Sequence, residues 1–288
     1  MTALLLVSLT LAAPVPKASS PELKWRFKKG DVFYVQYEQE ANSTVNAGVG
    51  VAAQGNMSAT SIVYKFTVTS AAESETTLEL ECVSAQVGHG IGGQGVKKDD
   101  IKGVAGNTVT LTLDAKQAVT KVTGGAELAK AGGQAEQFLS EDGLKHTLAD
   151  LLTAVPVKAV GKGEKWSAET EATMTMGITE KKTVRGVVDG ITDGVARLSV
   201  EVDRTWSGSA NAGGGGAGGV GLTYDLKSDK GQATVWFDTR TGRLQKREES
   251  YTMAGGINVG GVGGGAQPIN LSASVKSTVT VCDKPPKE

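Results

Sequence analysis

Apolar and polar residues alternate one for one through much of this chain, and a period of two confines such segments to β-sheet. Leu78, Leu80 and Cys82 fall on one phase, Glu79 and Glu81 on the other. Val109, Leu111 and Leu113 alternate with Thr110 and Thr112, and Leu198, Val200 and Val202 with Ser199, Glu201 and Asp203. Near the C-terminus Leu271, Ala273, Val275, Val279 and Val281 alternate with Ser272, Ser274, Lys276, Thr278 and Thr280. Phe33, Val35 and Tyr37 share a face opposite Gln36 and Glu38, and Trp25 with Phe27 reads as a strand before them. The β-branched Thr and Val that dominate these runs suit a pleated surface. One apolar and one polar face per strand predicts antiparallel sheet with a solvated side; parallel sheet buried on both faces would read as solid apolar runs.

One region breaks the period. Leu144, Leu148, Leu151, Leu152 and Val155 form a helical stripe. Ser140 stands where an N-cap belongs, Glu141 and Asp142 occupy the positive end of the helix, and Pro156 ends it. A weaker helix is expected over Ala126–Leu139. The two flanking halves resemble each other. Lys29-Gly30-Asp31 recurs as Lys162-Gly163-Glu164, Leu78-Glu79-Leu80 as Leu198-Ser199-Val200, and Leu111-Thr112-Leu113-Asp114 as Val235-Trp236-Phe237-Asp238. The expected fold is mostly β (α+β): two similar, curved antiparallel meander sheets with a central amphipathic helix packed on them. The expected organisation is a signal peptide at 1–20, a first β unit at 21–124, a helical linker at 125–156 and a second β unit at 157–288. Phe33 and Trp166 hold matching places and are expected to anchor the core of their halves.

The signal peptide rests on the apolar run Ala3–Ala13 and the small residues Ala12, Ala13 and Ala18 after or within it. Eleven helical residues reach about 16 Å, too short to cross the ~30 Å hydrocarbon core. No later run is long enough to span as a helix. The expected location is therefore outside the cytoplasm: periplasm, cell envelope or extracellular space. Lys plus Arg number 30 and Asp plus Glu 31, a formal net charge of −1. That balance offers no basic excess for nucleic acid.

Residues that carry chemistry are few. Gly88-His89-Gly90-Ile91-Gly92-Gly93 has Gly-x-Gly-x-x-Gly spacing, but Val96–Asp100 follows instead of the helix that a dinucleotide site requires. His89 and His146 are the only imidazoles, and with Cys82 and Cys282 they complete neither a zinc set nor a supported catalytic triad. Glu79 with Glu81, and Glu201 with Asp203, share strand faces, where solvated charge is the ordinary role. Asp189 and Asp193 bracket what reads as a hairpin turn rather than a calcium loop. No catalytic, cofactor-binding or metal-binding residue is assigned, no cofactor is expected, and an enzyme is not.

Two cysteines in an exported chain invite a disulfide, yet Cys82 lies in the apolar phase and Cys282 one step out of phase with Val279 and Val281. Gly numbers 39, concentrated at Asn46–Gly55, Gly88–Gly95, Gly208–Gly221 and Ala254–Gln267. These segments are expected to be mobile loops. If each half is an up-and-down meander, all four lie at one end as a Gly-rich rim.

Four short motifs carry a family resemblance: Gly30-Asp31-Val32-Phe33, the helix running from Leu148 into Pro156, Val160–Trp166, and Phe237–Leu244 with its Gly242-Arg243-Leu244 ending. They resemble a bacterial family of exported proteins built on a domain of unknown function. The resemblance implies a β-rich exported protein and assigns no activity or functional residue. The functional expectation is a non-catalytic protein binding a hydrophobic small molecule in a cleft of its curved sheets. The alternative is a cell-envelope structural or protein-interaction module with a filled core.

Overall fold

The computed structural model describes residues 21–46, 54–91, 96–125, 140–152, 155–156, 161–173, 177–212, 220–229, 231–261 and 264–286. The expected signal peptide and the Ala126–Leu139 helix fall outside them. The strands are β1 (Val32–Asn46), β2 (Gln54–Ala71), β3 (Glu75–Ile91), β4 (Lys97–Asp100), β5 (Thr108–Asp114) and β6 (Val119–Thr123), then β7 (Lys165–Thr173), β8 (Ile178–Thr192), β9 (Val195–Ala212), β10 (Val220–Ser228), β11 (Gly231–Asp238), β12 (Arg243–Gly261) and β13 (Gly264–Cys282). The helix α1 (Glu141–Leu152) separates β6 from β7.

All strand pairs are antiparallel, as the alternation predicts, but they form one sheet rather than two. Its order is β6-β5-β3-β2-β1-β13-β12-β10-β9-β8-β7, with β11 between β12 and β9 and β4 beside β3. The two halves fuse because the last strand returns to the first: β1 pairs with β13 from Tyr34↔Cys282 to Asn46↔Asn270. Strands β10 and β11 share one lane, β10 against Thr205–Ala212 of β9 and β11 against Val195–Val202. Where that lane breaks, the Ser228 hydroxyl accepts the Arg204 N–H at 2.8 Å and replaces the missing ladder bond.

The halves use the same local devices. At the start of each, a glycine with positive φ (Gly30 at 90°, Gly163 at 80°) turns the chain. Gly30 N–H donates to Val68 O and Gly163 N–H to Val188 O, both at 2.8 Å. Val68 and Val188 then donate back to Asp31 O and Glu164 O. Leu78 pairs with Leu111 in the first half, and Leu198 with Val235 in the second. The aromatic anchors differ in detail. Phe33 faces Phe66, their rings 5.1 Å apart and nearly parallel. Trp166 faces Gly186, and its indole packs so closely on that glycine that a Cβ there would overlap the ring. Phe33 and Trp166 are both buried.

The Trp25–Phe27 stretch is not a sheet strand, since only Glu22 forms a bridge. Its aromatics nonetheless close the base of the sheet. Trp25 N–H donates to Gln117 Oε1, Gln117 Nε2 donates back to Trp25 O at 2.6 Å, and Arg26 N–H donates to Gly242 O. The N-terminal segment thus ties the β5–β6 turn to the β11–β12 turn. Above it Trp25, Phe33, Phe66, Leu78, Leu111 and Leu113 join the helix residues Leu144, Leu148, Leu151 and Leu152 in one buried cluster. Ser140 caps α1, its Oγ accepting Gly143 N–H at 3.2 Å.

Cys82 and Cys282 are both free thiols. They lie on β3 and β13 with β2 and β1 between, about 14 Å apart at the ~4.8 Å strand spacing, beyond disulfide reach. The Gly-rich segments are, where described, strand rather than loop: 88–91 in β3, 208–212 in β9, 254–261 in β12 and 264–267 in β13. Cross-strand pairing removes the freedom that Gly content alone suggests. The registers Asn56↔Ile91, Asn46↔Asn270, Gly221↔Asn211 and Gly221↔Gly260 put these strand ends at one end of the sheet.

Candidate functional site

The inner face of the curved sheet is apolar at the base and becomes polar at one level, where β8, β9 and β12 meet α1. In β8, Glu180 and Lys182 share the buried phase with Val184 and Val188. In β9, Arg204 continues the phase of Val200 and Val202, and Trp206 follows. In β12, Arg247 and Glu249 take the same position. Strand alternation alone turns these charges inward.

They satisfy one another. Arg204 pairs with three carboxylates: Glu180 through Nε at 3.2 Å, Asp150 of α1 through Nη2 at 3.4 Å, and Glu249 through Nη1. Arg247 donates to Glu249 and, at 3.0 Å, to the backbone oxygen of Asp150. Lys182 pairs with Asp150, and His146 Nε2 lies 3.4 Å from Glu180. Three cations thus meet three carboxylates, and the polar side of α1 is bound to the second half while its leucines enter the core of the first. Burial raises the Asp150 carboxyl, but Lys182 and Arg247 outweigh it and hold the group well below its ordinary range. For Glu249 burial is likewise outweighed, by Arg247 and Arg204. Glu180 goes the other way: burial first, then the Asp150 charge, pushes it up. The Arg204 guanidinium also lies 4.7 Å from the centre of the Tyr251 ring, which stacks on Trp206 at 6.0 Å. Burial pushes the Tyr251 phenol up to about 12, so it stays a neutral hydroxyl.

Above this network the interior is not filled. A cavity of about 550 Å³ is walled by β1, β2, β8, β9, β10, β12 and β13, with α1 and the ion network at its floor. Its lining follows alternate residues of β1 from Val35 through Tyr37, Gln39 and Ala41 to Ser43, a length of about 26 Å at ~3.3 Å per residue. Tyr64, Trp206, Leu226, Tyr251, Met253, Leu271 and Val275 supply aromatic and aliphatic wall. Volume and lining suit a small-molecule pocket, for which ~300–1,000 Å³ is usual. A larger groove of about 990 Å³ runs beside Trp166, Lys116 and Val155. It takes in Leu152, Val155, Trp166 and Val200 of the buried cluster together with the outward-facing Arg185, Ser199 and Glu201, so it lies at the β7 margin of the sheet.

The residues weighed from sequence stand elsewhere. His89 is in β3, paired with Ser58 and Lys97, and Gly88–Ile91 is strand instead of a phosphate-binding turn. Glu81 pairs with Lys65 at 2.9 Å and Asp203 with Arg185, both as outer-face ion pairs. Asp193-Gly194 forms the β8–β9 turn with φ of 51° and 79°, the primed geometry of a tight hairpin. Only His146 belongs to the network. Glu180, Lys182, Arg204, Arg247, Glu249 and Asp150 escape a reading that looks for motifs. Their signal is a charged residue in the apolar phase of a strand, such as Arg204 two places beyond Val202.

Two of the family-like motifs meet at the base. Asp31 accepts Arg243 Nη2 at 2.7 Å, and Arg243 reaches Asp283 at 3.0 Å. Arg243 also lies 5.2 Å from the Phe33 ring centre.

Among solved structures, the chain resembles lipovitellin at 9% identity with a TM-score of 0.49, covering 91% of this chain and 26% of that one. It therefore spans about a quarter of the lipovitellin chain. It also matches OccK5 of Pseudomonas aeruginosa (5% identity, TM-score 0.26, 87% of this chain and 98% of the other) and a porin of Rh. blastica (10%, 0.20, 87% and 99%). No curated protein sequence matches. Residues 93–244, which are 152 of the 288, match a family of unknown function. That span includes α1, the β6–β7 connection, the β11–β12 turn and every residue of the network except Arg247 and Glu249, and the chain belongs to this family, DUF6263.

Proposed function

We propose that this protein is an exported, non-catalytic carrier that holds a hydrophobic small molecule in the interior of its curved sheet. The observation that carries this reading is the cavity of about 550 Å³ with an aromatic and aliphatic wall over a self-neutralised floor. A pocket walled by Val35, Trp206, Leu271 and Val275 rewards apolar surface removed from water, about 25 cal/mol per Å². The floor offers no spare charge to a ligand, since Arg204, Arg247 and Lys182 are each engaged by carboxylates. The preferred ligand is thus uncharged or carries its charge toward the open end. Export rests on the Ala3–Ala13 run, and N-terminal sequencing of native protein should find a start between Pro14 and Pro21. The matched hydrogen bonds at Gly30 and Gly163 support an origin by duplication, with each half a meander and α1 packed between them.

Titration with an environment-sensitive naphthalene probe tests the carrier reading. The wild type should enhance its emission saturably, and Ala273→Trp, which puts an indole into the cavity, should abolish the effect while the fold persists by circular dichroism. Equal binding by the variant would exclude the interior as the site. A filled-core envelope module, the alternative, predicts no enhancement by either protein.

A further inference from the structure

The sheet is polarised along its strands. No Asp, Glu, Lys or Arg occurs between Glu40 and Lys65, Glu81 and Lys97, Glu171 and Glu180, Arg204 and Asp225, or Glu249 and Lys276. These five stretches include the β1–β2, β7–β8, β9–β10 and β12–β13 connections and the far end of β3, and the registers bring their strand ends to one end of the molecule. The opposite end carries the charged turns, with Asp31, Arg243 and Asp283 joined there. The exception at the uncharged end is the short β4, whose Lys97 and Lys98 flank β3 at His89 and Gly88.

A second observation lies on the inner lip of that end. Val45, Leu222, Ile257, Val259, Ile269 and Leu271 are all half-buried. Val45 pairs with Leu271, Leu222 with Val259, and Ile257 with Ile269. By alternation they stand on the same face as the cavity lining, of which Ile257 and Leu271 are part. Water tolerates such a lip, but a low-dielectric surface rewards it, and the lack of charge on the surrounding strands removes the desolvation cost that would oppose contact.

From the two together we infer that the uncharged end docks on the surface of a lipid bilayer, with the aliphatic lip against the acyl boundary and the cavity opening into it. The inference deepens the carrier reading and rests on it for the direction of transfer: an apolar ligand passes between membrane and cavity without crossing water. Docking is apolar, so it requires no anionic lipid, in contrast to basic surface segments that bind by charge.

The test is flotation of the full mature chain with neutral phosphatidylcholine vesicles. The protein should float with the vesicles, and should still do so in about 0.5 M salt, where charge attraction is screened within a few ångströms. Leu222→Glu with Ile257→Glu should weaken partition by about a hundredfold at an unchanged thermal midpoint. The cavity-blocking Ala273→Trp should float like the wild type, so a failed carrier reading and a failed docking reading give different patterns. If Leu222→Glu with Ile257→Glu proves unfolded, Val45→Lys replaces it. Binding only to anionic vesicles, or loss of flotation in salt, would overturn the inference. So would a wild-type dimer that the lip changes dissociate, since the lip would then meet a second copy.

Discussion

Replacing Arg204 by Met isolates what the buried network contributes. Met keeps most of the side-chain volume, so the packing loss is small and the charge effect dominates. Arg204 is 5% exposed and touches Asp150, Glu180 and Glu249. Without it, two cations, Lys182 and Arg247, face three carboxylates, of which Glu180 and Glu249 are almost fully buried and Asp150 is partly so. Removing one member of a buried pair typically costs about 3–5 kcal/mol, because the partner's charge stays buried without compensation. In a chain of this size that lowers the thermal midpoint by about 10 °C. Urea unfolding followed by tryptophan emission measures it, with the slope of the transition unchanged. Arg185→Met is the control: Arg185 pairs with Asp203 on the outer face with 53% of its side chain exposed, where such pairs are worth about 0–1 kcal/mol. Adding Glu180→Gln to Arg204→Met restores equal numbers of cations and carboxylates and should recover at least about 1 kcal/mol. A cost for Arg204→Met below about 1 kcal/mol would refute the reasoning, and the network would then be solvated.

Gly186→Ala should cost about 1–3 kcal/mol by overpacking, because its methyl meets the Trp166 ring; a shifted denaturant midpoint with altered tryptophan emission checks it. Trp166→Ala should cost about 3–5 kcal/mol, and an unmoved midpoint would remove Trp166 as the anchor of its half. Stability should fall on acidification. Asp150 and Glu249 are held below their ordinary values, so their contribution is present above the unfolded value of about 4 and is lost as pH falls through the lower folded values. Glu180, raised by burial, works in the opposite sense and regains stability as it protonates, so a midpoint-versus-pH curve should decline most steeply below about pH 4. Non-reducing mass mapping should find two free thiols. With the native protein a thiol reagent should modify Cys282 first, since Cys82 is buried and its thiol is pushed up to about 12 by burial.

The alternation carried the strand content: the apolar phases read in β3, β5 and β9 are buried throughout, and in β13 Ala273, Val275 and Val279 are buried while Leu271 and Val281 are half-buried. The residues that the repeat equates hold matching places in the sheet: Leu78 pairs with Leu111, and Leu198 with Val235. What alternation cannot encode is which strands meet across the sequence. Whether two meanders stay separate or fuse depends on the β1–β13 register, a pairing between the two ends of the chain that leaves no local pattern. The Gly-rich segments misled for a related reason. Glycine has high local freedom, but a partner on each side, as at Gly255↔Leu271 and Leu226↔Gly255, holds it in the sheet. The network was visible in principle, since Glu180, Lys182 and Arg204 break the polar-out rule in strands that otherwise obey it. Recognising it needs the partner charges, and those arrive from α1 and β12, more than 30 residues away in sequence.

The measurement that bears most directly on the carrier reading is mass spectrometry of the protein purified from its own host, first under native conditions and then on its organic extract. The account predicts a protein mass increased by one small hydrophobic molecule, recovered in the extract and lost from Ala273→Trp. A bare native mass from gently purified wild type, with nothing in the extract, would contradict it and leave the interior cavity without an occupant.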